Sequence, residues 1–183
     1  MGLSDKGLFE QGPVICFTWH LKPSWPVLSV TKNINQFGYE AEQFLSKELL
    51  FAQIIHPEDI ERVTTEVNMY LTTNCESFEQ DYRIITNKGE TRWVYDKTII
   101  ITDAQGQKTI AQGYLLDITD RKLAEQEVAD TKEKYFQLFE SNKAVELLID
   151  PDNGQVIRAN LAAQHFYGYS QSEFEQLSIS DIN

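Results

Sequence analysis

Two hydrophobic periods divide the first part of the chain, and their order predicts its architecture. Val14-Ile15-Cys16-Phe17-Thr18-Trp19 is apolar and rich in β-branched and aromatic residues, as in a buried strand, with Cys16 as a small core residue. Pro23 and Pro26 bracket a turn, and Val27–Thr31 reads as the return strand of a hairpin. Asn33–Phe37 is a short helical piece stopped by Gly38, which tolerates the left-handed backbone of a helix C-terminus, and Glu40–Ser46 is a second. His56-Pro57-Glu58-Asp59 opens a longer helix. Proline suits the first helical position, where its missing N–H costs nothing, and the two acids favour the positive end of the helix dipole. Ile60, Val63, Val67 and Tyr70/Leu71 then form one apolar stripe, which ends near Thr73.

Beyond Thr73 the period falls to two. Phe78, Gln80, Tyr82 and Ile84 alternate with Glu79, Asp81, Arg83 and Ile85. Asn87-Lys88-Gly89-Glu90 supplies a turn, and Thr91–Thr102 continues as a long strand with Trp93, Tyr95, Ile99 and Ile101 on one parity. Asp103–Gly106 turns the chain into a last strand, Lys108–Asp117. The order implies an α+β domain: a five-stranded antiparallel sheet with helices on one face, followed by a long connecting helix. Phe17, Trp19, Ile34, Phe37, Phe44, Ile55, Val63, Val67, Trp93 and Tyr95 are the residues expected to line its interior, as packed core or as the walls of a ligand pocket.

Thr119 is placed to cap a helix that runs without Gly or Pro to about Ser141. Ala124, Val128, Thr131, Tyr135 and Leu138 follow heptad spacing between charged flanks, which predicts a dimer-forming seam; packing of the stripe on its own domain is the alternative. The pattern then restarts. Val145–Asp150 and Gln155–Ala159 form a second hairpin, Asn160–Phe166 a helix, and Gly168-Tyr169 stands 130 residues beyond Gly38-Tyr39. Ser170 and Glu173 have capping-box spacing ahead of Phe174. The expected division is a leader over 1–12, a complete domain over 13–118, a connecting helix over 119–141, and the N-terminal half of a second domain over 142–183. Two strands cannot close a sheet, so Leu147, Ile149, Val156 and Phe166 need cover, and 142–183 is expected to be mobile or to pair with another chain.

Charge and composition narrow the chemistry. Of the 183 residues, 28 are acidic and 16 basic, a net charge of −12, with no basic cluster for phosphate backbones or anionic membranes. The apolar stretches Leu49–Ile55 and Ile99–Ile101 are too short to span a bilayer. Two cysteines, Cys16 and Cys75, form no disulfide framework, so a reduced, cytoplasmic setting without nucleic-acid or membrane partners is expected.

The residues Asn33-Ile34, Phe37-Gly38-Tyr39, His56-Pro57-Glu58-Asp59 and Tyr82-Arg83-Ile84 resemble the PAS family. Gly89-Glu90-Thr91-Arg92-Trp93-Val94, Gly113 and Asp117-Ile118-Thr119-Asp120-Arg121-Lys122 add the pattern of its PAC motif. Tyr135, Leu138-Phe139-Glu140, Ile149-Asp150, Asn160, Ala162-Ala163 and Tyr167-Gly168-Tyr169 resemble the start of a second such domain. The resemblance implies a PAS fold and a regulatory role. Such a module senses a small molecule, redox state or light, or serves as a ligand-free dimerising relay. Asp117 and Thr119 would mark the junction where the sheet hands its signal to the helix. A homodimer, formed through that helix and the PAS surface, and a downstream output domain of diguanylate cyclase or two-component histidine kinase type are the partners it implies.

No cofactor signature stands out. Trp19 and Trp93 could stack on a flavin, but no phosphate-cradling glycine loop accompanies them, and Asn74-Cys75 lacks the rest of a flavin-adduct motif. Haem would need a pocket histidine, and helix 57–73 has none. His56, Glu58 and Asp59 do not form a compact metal set. Nucleophile elbow and phosphate loop are both missing, so no catalytic residue is assigned and enzymatic activity is expected outside this sequence.

Overall fold

The computed structural model describes residues 12–73, 75–102 and 104–182. The expected leader, apart from Gly12, lies outside them, as do Asn74 and Asp103 of the expected loop and turn, and Asn183. The chain forms two compact units, one ending at Lys122 and the other beginning at Leu123.

In the first unit, β1 (Val14–His20) and β2 (Val27–Val30) form the expected hairpin, followed by a 3₁₀ turn over Lys32–Phe37. Gly38 ends that turn at φ 78°, a backbone that costs a residue with a Cβ. The short helix α1 (Ala41–Leu45) and the longer α2 (Ile60–Thr72) precede β3 (Ser77–Ile85), β4 (Thr91–Thr102) and β5 (Lys108–Asp117). All five strands form one antiparallel sheet in the order β2-β1-β5-β4-β3. Val63 and Val67 of α2 are buried in the same core as Phe17, Ile34, Phe37, Phe44 and Ile55, with Ile60, Tyr70 and Leu71 packed at its edge.

Two local expectations are corrected. Helix α2 begins at Ile60, not Pro57. The acids before it, with Asp59 at the N-cap position, are also gripped by an arginine: Arg83 donates to Asp59 from its backbone N–H (2.8 Å), Nε (3.1 Å) and Nη2 (2.6 Å), and to Glu58 from Nη2 (2.9 Å). This fork holds the Asp59 carboxyl below the ordinary carboxylate range. Cys16 lies half-buried on the face of β1 opposite the core, because the core takes the alternate residues Ile15, Phe17 and Trp19.

Helix α3 (Thr119–Ser141) follows β5, as its uninterrupted helix-forming sequence predicts. The second unit continues with β6 (Leu147–Ile149), β7 (Val156–Ala159), α4 (Leu161–Tyr167) and α5 (Gln171–Phe174). Val156, Ala159, Ala163, Phe174 and Ile182 make a small core of their own. Phe166 remains exposed. The capping box of Ser170 and Glu173 is formed as expected.

The internal repeat extends to side-chain chemistry. Asn33 donates through Nδ2 to the carbonyls of Gly12 and Val14 (both 2.7 Å). Asn160 does the same for the carbonyls of Phe139 (3.1 Å), Asn142 (3.3 Å) and Ala144 (2.8 Å). Each amide ties the start of a helical piece to the segment leading into its unit's first strand. Both pieces end on a glycine at φ 78°, Gly38 and Gly168.

Candidate functional site

The inner face of the first unit's sheet is apolar except where β3 and β4 run side by side. Register pairs Gln80 with Asp96, Tyr82 with Val94 and Phe78 with Thr98, so these residues share one face. That face is the buried one, and it places Gln80, Asp96 and Thr98 beneath α2. A cavity of about 30 Å³ opens among them, lined by Trp19, Trp25, Phe51, Val63, Val67, Phe78 and the polar group Gln80, Tyr82, Asp96 and Thr98.

Asp96 is the charge centre of this cavity. Its carboxylate accepts from the Tyr82 hydroxyl (2.7 Å) and the Thr98 hydroxyl (2.6 Å). Among the described residues no Lys, Arg or His pairs with it. Desolvation raises its pKa to about 6, against the pull of those two hydrogen bonds. Burial and the neighbouring carboxylate drive the Tyr82 hydroxyl well above its ordinary value, so Tyr82 stays a donor. Gln80 reaches the opposite wall, donating to Glu66 of α2 (2.6 Å). Trp19 stacks on Phe17 at 5.1 Å, and its indole Nε1–H is buried without a hydrogen-bond partner.

The residues expected to line the interior divide between the two faces of the sheet. Trp19, Val63 and Val67 border the cavity, and Phe17, Ile34, Phe37, Phe44 and Ile55 form the core around it. Trp93 and Tyr95 do not join them; this corrects the parity expected for β4. With Ile99 and Ile101 they lie on the outer face, because the 86–90 turn sets a register that sends Val94, Asp96, Thr98 and Ile100 inward. Tyr95 meets Tyr114 at 6.1 Å. The Trp93 ring lies beneath Arg83 Cζ (5.7 Å) and Lys122 Nζ (5.3 Å).

Trp93 also meets the start of α3. Its backbone N–H donates to the Thr119 hydroxyl (2.9 Å), and its carbonyl accepts from Ile118 N–H (2.9 Å). Thr119 is therefore not the side-chain cap of the helix. Asp117 serves that end instead, accepting from Thr119 N–H (2.8 Å), with Arg92 3.8 Å away. Lys122 adds an ion pair to Asp81 at 2.9 Å. On α3 the seam residues Ala124, Val128, Thr131, Tyr135 and Leu138 are all exposed, with Val128, Tyr135 and Leu138 at least 60% accessible.

No group of three or more metal-ligating side chains occurs among the described residues, and no helix there is long and apolar enough to cross a membrane. The space between these side chains, about 30 Å³, is far smaller than the several hundred cubic ångströms usual for pockets of small-molecule and cofactor ligands.

The family model for the PAS fold matches residues 27–115, and one for the PAS domain matches residues 144–183. A methyl sulfide methyltransferase-associated sensor from Methanosarcina acetivorans is 40% identical over 121 residues, 66% of this chain and 12% of that protein. The two-component sensor PprA of Pseudomonas aeruginosa is 32% identical over 145 residues, 76% of this chain and 15% of that protein. The chain thus spans less than a sixth of either relative. Among solved structures, a sensory box histidine kinase/response regulator from Burkholderia thailandensis superposes with a TM-score of 0.56 at 23% identity, covering 73% of this chain and 98% of that one. The N-terminal domain of a diguanylate cyclase with PAS/PAC sensor from Marinobacter aquaeolei gives 0.52 at 20% identity, covering 60% and 98%. With this fold and both family matches in place, the chain belongs to the PAS family.

Proposed function

We propose that this chain is the sensory and relay part of a larger signal-transduction protein, with its signal entering at the Asp96 cavity and leaving along α3. One observation carries the reading: β4 holds the cavity carboxylate on its inner face and, three residues earlier, grips the first residues of α3 through Trp93. A displacement of β4 moves both ends of that link. The named sensor relatives support a sensory role, and their greater length supports an output domain on the same polypeptide, of histidine kinase or diguanylate cyclase type. The second PAS match, 144–183, is read as the opening of another such domain. The residues around Asp117-Ile118-Thr119 serve as the PAC-type junction.

Hydrogen exchange followed by mass spectrometry tests the relay. Asp96→Asn, which alters only the cavity, changes exchange over 119–128. Ile99→Ser, on the exposed outer face of the same strand, leaves that segment unchanged. Equal exchange in both variants and the parent chain refutes the relay.

A second reading, a ligand-free dimerisation module, draws on the uncovered apolar seam of α3 and on the small cavity. The two readings part on what purified protein releases when denatured. A small molecule recovered in stoichiometric amount supports sensing; an empty dimer whose helix is indifferent to Asp96 supports the second.

A further inference from the structure

We propose that the cavity recognises a small protonated amine that also carries a hydroxyl oxygen, gripped by Asp96 at one end and the Trp19 indole N–H at the other. This rests on the cavity being the point of signal entry, and it adds the chemistry of what enters.

Two unmet requirements of the cavity define the ligand. Asp96 is a buried carboxylate with a hydroxyl donor on each oxygen and no cation among the described residues to balance it. A carboxylate has about four lone-pair sites, so two remain for a ligand's N–H groups. Neutral donors stabilise a buried charge only in part, and an ammonium group supplies what is missing. The indole N–H of Trp19 has the opposite need. It is a donor only, it belongs to a residue 4% exposed, and it has no acceptor. One molecule satisfies both only if it donates and accepts.

The walls favour the same class. Trp19, Trp25, Phe51, Phe78 and Tyr82 surround the space, and aromatic faces attract an organic cation most strongly when water is excluded. The pKa of Asp96, about 6, leaves the carboxylate mostly ionised at neutral pH and able to act as counter-charge. Size sets the limit. A cavity of about 30 Å³ holds one or two water-sized groups, so even the smallest amino alcohol, with its four non-hydrogen atoms, enters only as the walls move apart. That movement is what β4 would transmit. Ethanolamine, the simplest amino alcohol, meets the donor, acceptor and charge conditions with the least displacement.

The test is a titration of the 183-residue chain with ethanolamine at neutral pH, followed by NMR at the Trp19 indole N–H and at the backbone amides of α3. Saturable movement of the indole resonance is expected. Ethanol, which lacks the charge, and ethylamine, which lacks the acceptor, should each bind about tenfold more weakly. Asp96→Asn should weaken ethanolamine by at least about tenfold, and Trp19→Phe should remove its advantage over ethylamine. Ethanol matching ethanolamine, or no saturable shift in the parent chain, overturns the proposal. If the titration fails while Asp96→Asn still alters α3, the ligand class falls and the relay stands. If ethanolamine binds and α3 does not respond, the relay falls.

Discussion

The backbone N–H of Trp93 donates to the side-chain hydroxyl of Thr119 across 2.9 Å, so the first residue of α3 is fastened to β4, the strand between β5 and β3 in the sheet. This bond differs from a helix cap, because the threonine serves the sheet while Asp117 serves the helix. Thr119→Val keeps the shape and removes the acceptor. It should cost about 1–2 kcal/mol in urea denaturation, as expected when a part-buried N–H loses its partner. Thr119→Ser retains the hydroxyl and should stay close to the parent. A Thr119→Val chain of unchanged stability and unchanged Trp93 amide exchange would show that the bond has no weight.

Asp96 and Asp59 respond to pH with opposite signs. The Asp96 pKa is raised from 3.8 to about 6 in the folded chain, so the folded state binds protons more tightly than the unfolded one. Its contribution to stability is full below the unfolded pKa and is lost as pH rises through about 6. The shift corresponds to about 3 kcal/mol. Asp59 is held low by Arg83, so its contribution is present above the ordinary carboxylate pKa and is lost on acidification below it. The difference between the parent chain and Asp96→Asn isolates the first effect. Asp96→Asn should be the more stable protein at pH 7, with the gap closing near pH 4. A gap independent of pH contradicts the assignment.

Arg83 links β3 to the turn before α2. Replacing it with alanine strands Asp59, a nearly buried carboxylate that then has no cation on either of its oxygens. A loss of about 3 kcal/mol is expected from chemical denaturation, as for other broken buried pairs. Arg83→Lys should recover only part of it, since the backbone N–H is kept but a single ammonium cannot reproduce the guanidinium's two bonds to the two oxygens of Asp59.

Gly113 sits between Phe17 and Thr98 in the sheet, where a Cβ would press on the Lys97 carbonyl and the Thr98 hydroxyl. Gly113→Ala should destabilise the first unit by about 1–3 kcal/mol. Because Thr98 donates to Asp96, the substitution should also move the cavity's Tyr82 and Asp96 resonances. A neutral effect on both would mean that the strands separate freely there.

The exposed seam of α3 predicts self-association. Val128→Glu with Leu138→Glu places charge on two of its most exposed apolar positions. Sedimentation should report a dimer for the parent chain and a monomer for the double variant. Fast amide exchange over 142–183 in that monomer, against slow exchange over 78–117, would support the need of the second unit for cover.

Much of the fold was legible because its period was clean. The heptad-like run from Thr119 and the strands 91–102 and 108–117 match their elements closely, since unbroken helix formers and alternating residues leave few alternatives. The site was harder to read. In β4, Trp93, Tyr95, Ile99 and Ile101 are more hydrophobic than Val94, Asp96, Thr98 and Ile100, so hydrophobicity alone turns the strand over. The outer face is stabilised by cation–π and tyrosine contacts, which no count of apolar residues reveals. The signal was present in the turn. Folding 85 onto 91 about Lys88 pairs Gln80 with Asp96, and β3's sound parity then carries Asp96 inward. The Asp59–Arg83 fork was hidden for another reason: 24 residues separate its partners, and only the docking of β3 brings them together.

In the proposed relay the Asp96 cavity and α3 communicate through Trp93 and Thr119. Backbone-amide NMR of the parent chain, Asp96→Asn, Thr119→Val and the double variant measures this directly. Asp96→Asn is predicted to move the resonances of Thr119–Ala124 in the parent background, and to leave them in place once Thr119 is valine. Shifts confined to β3 and β4, or equally large in both backgrounds, would contradict the relay.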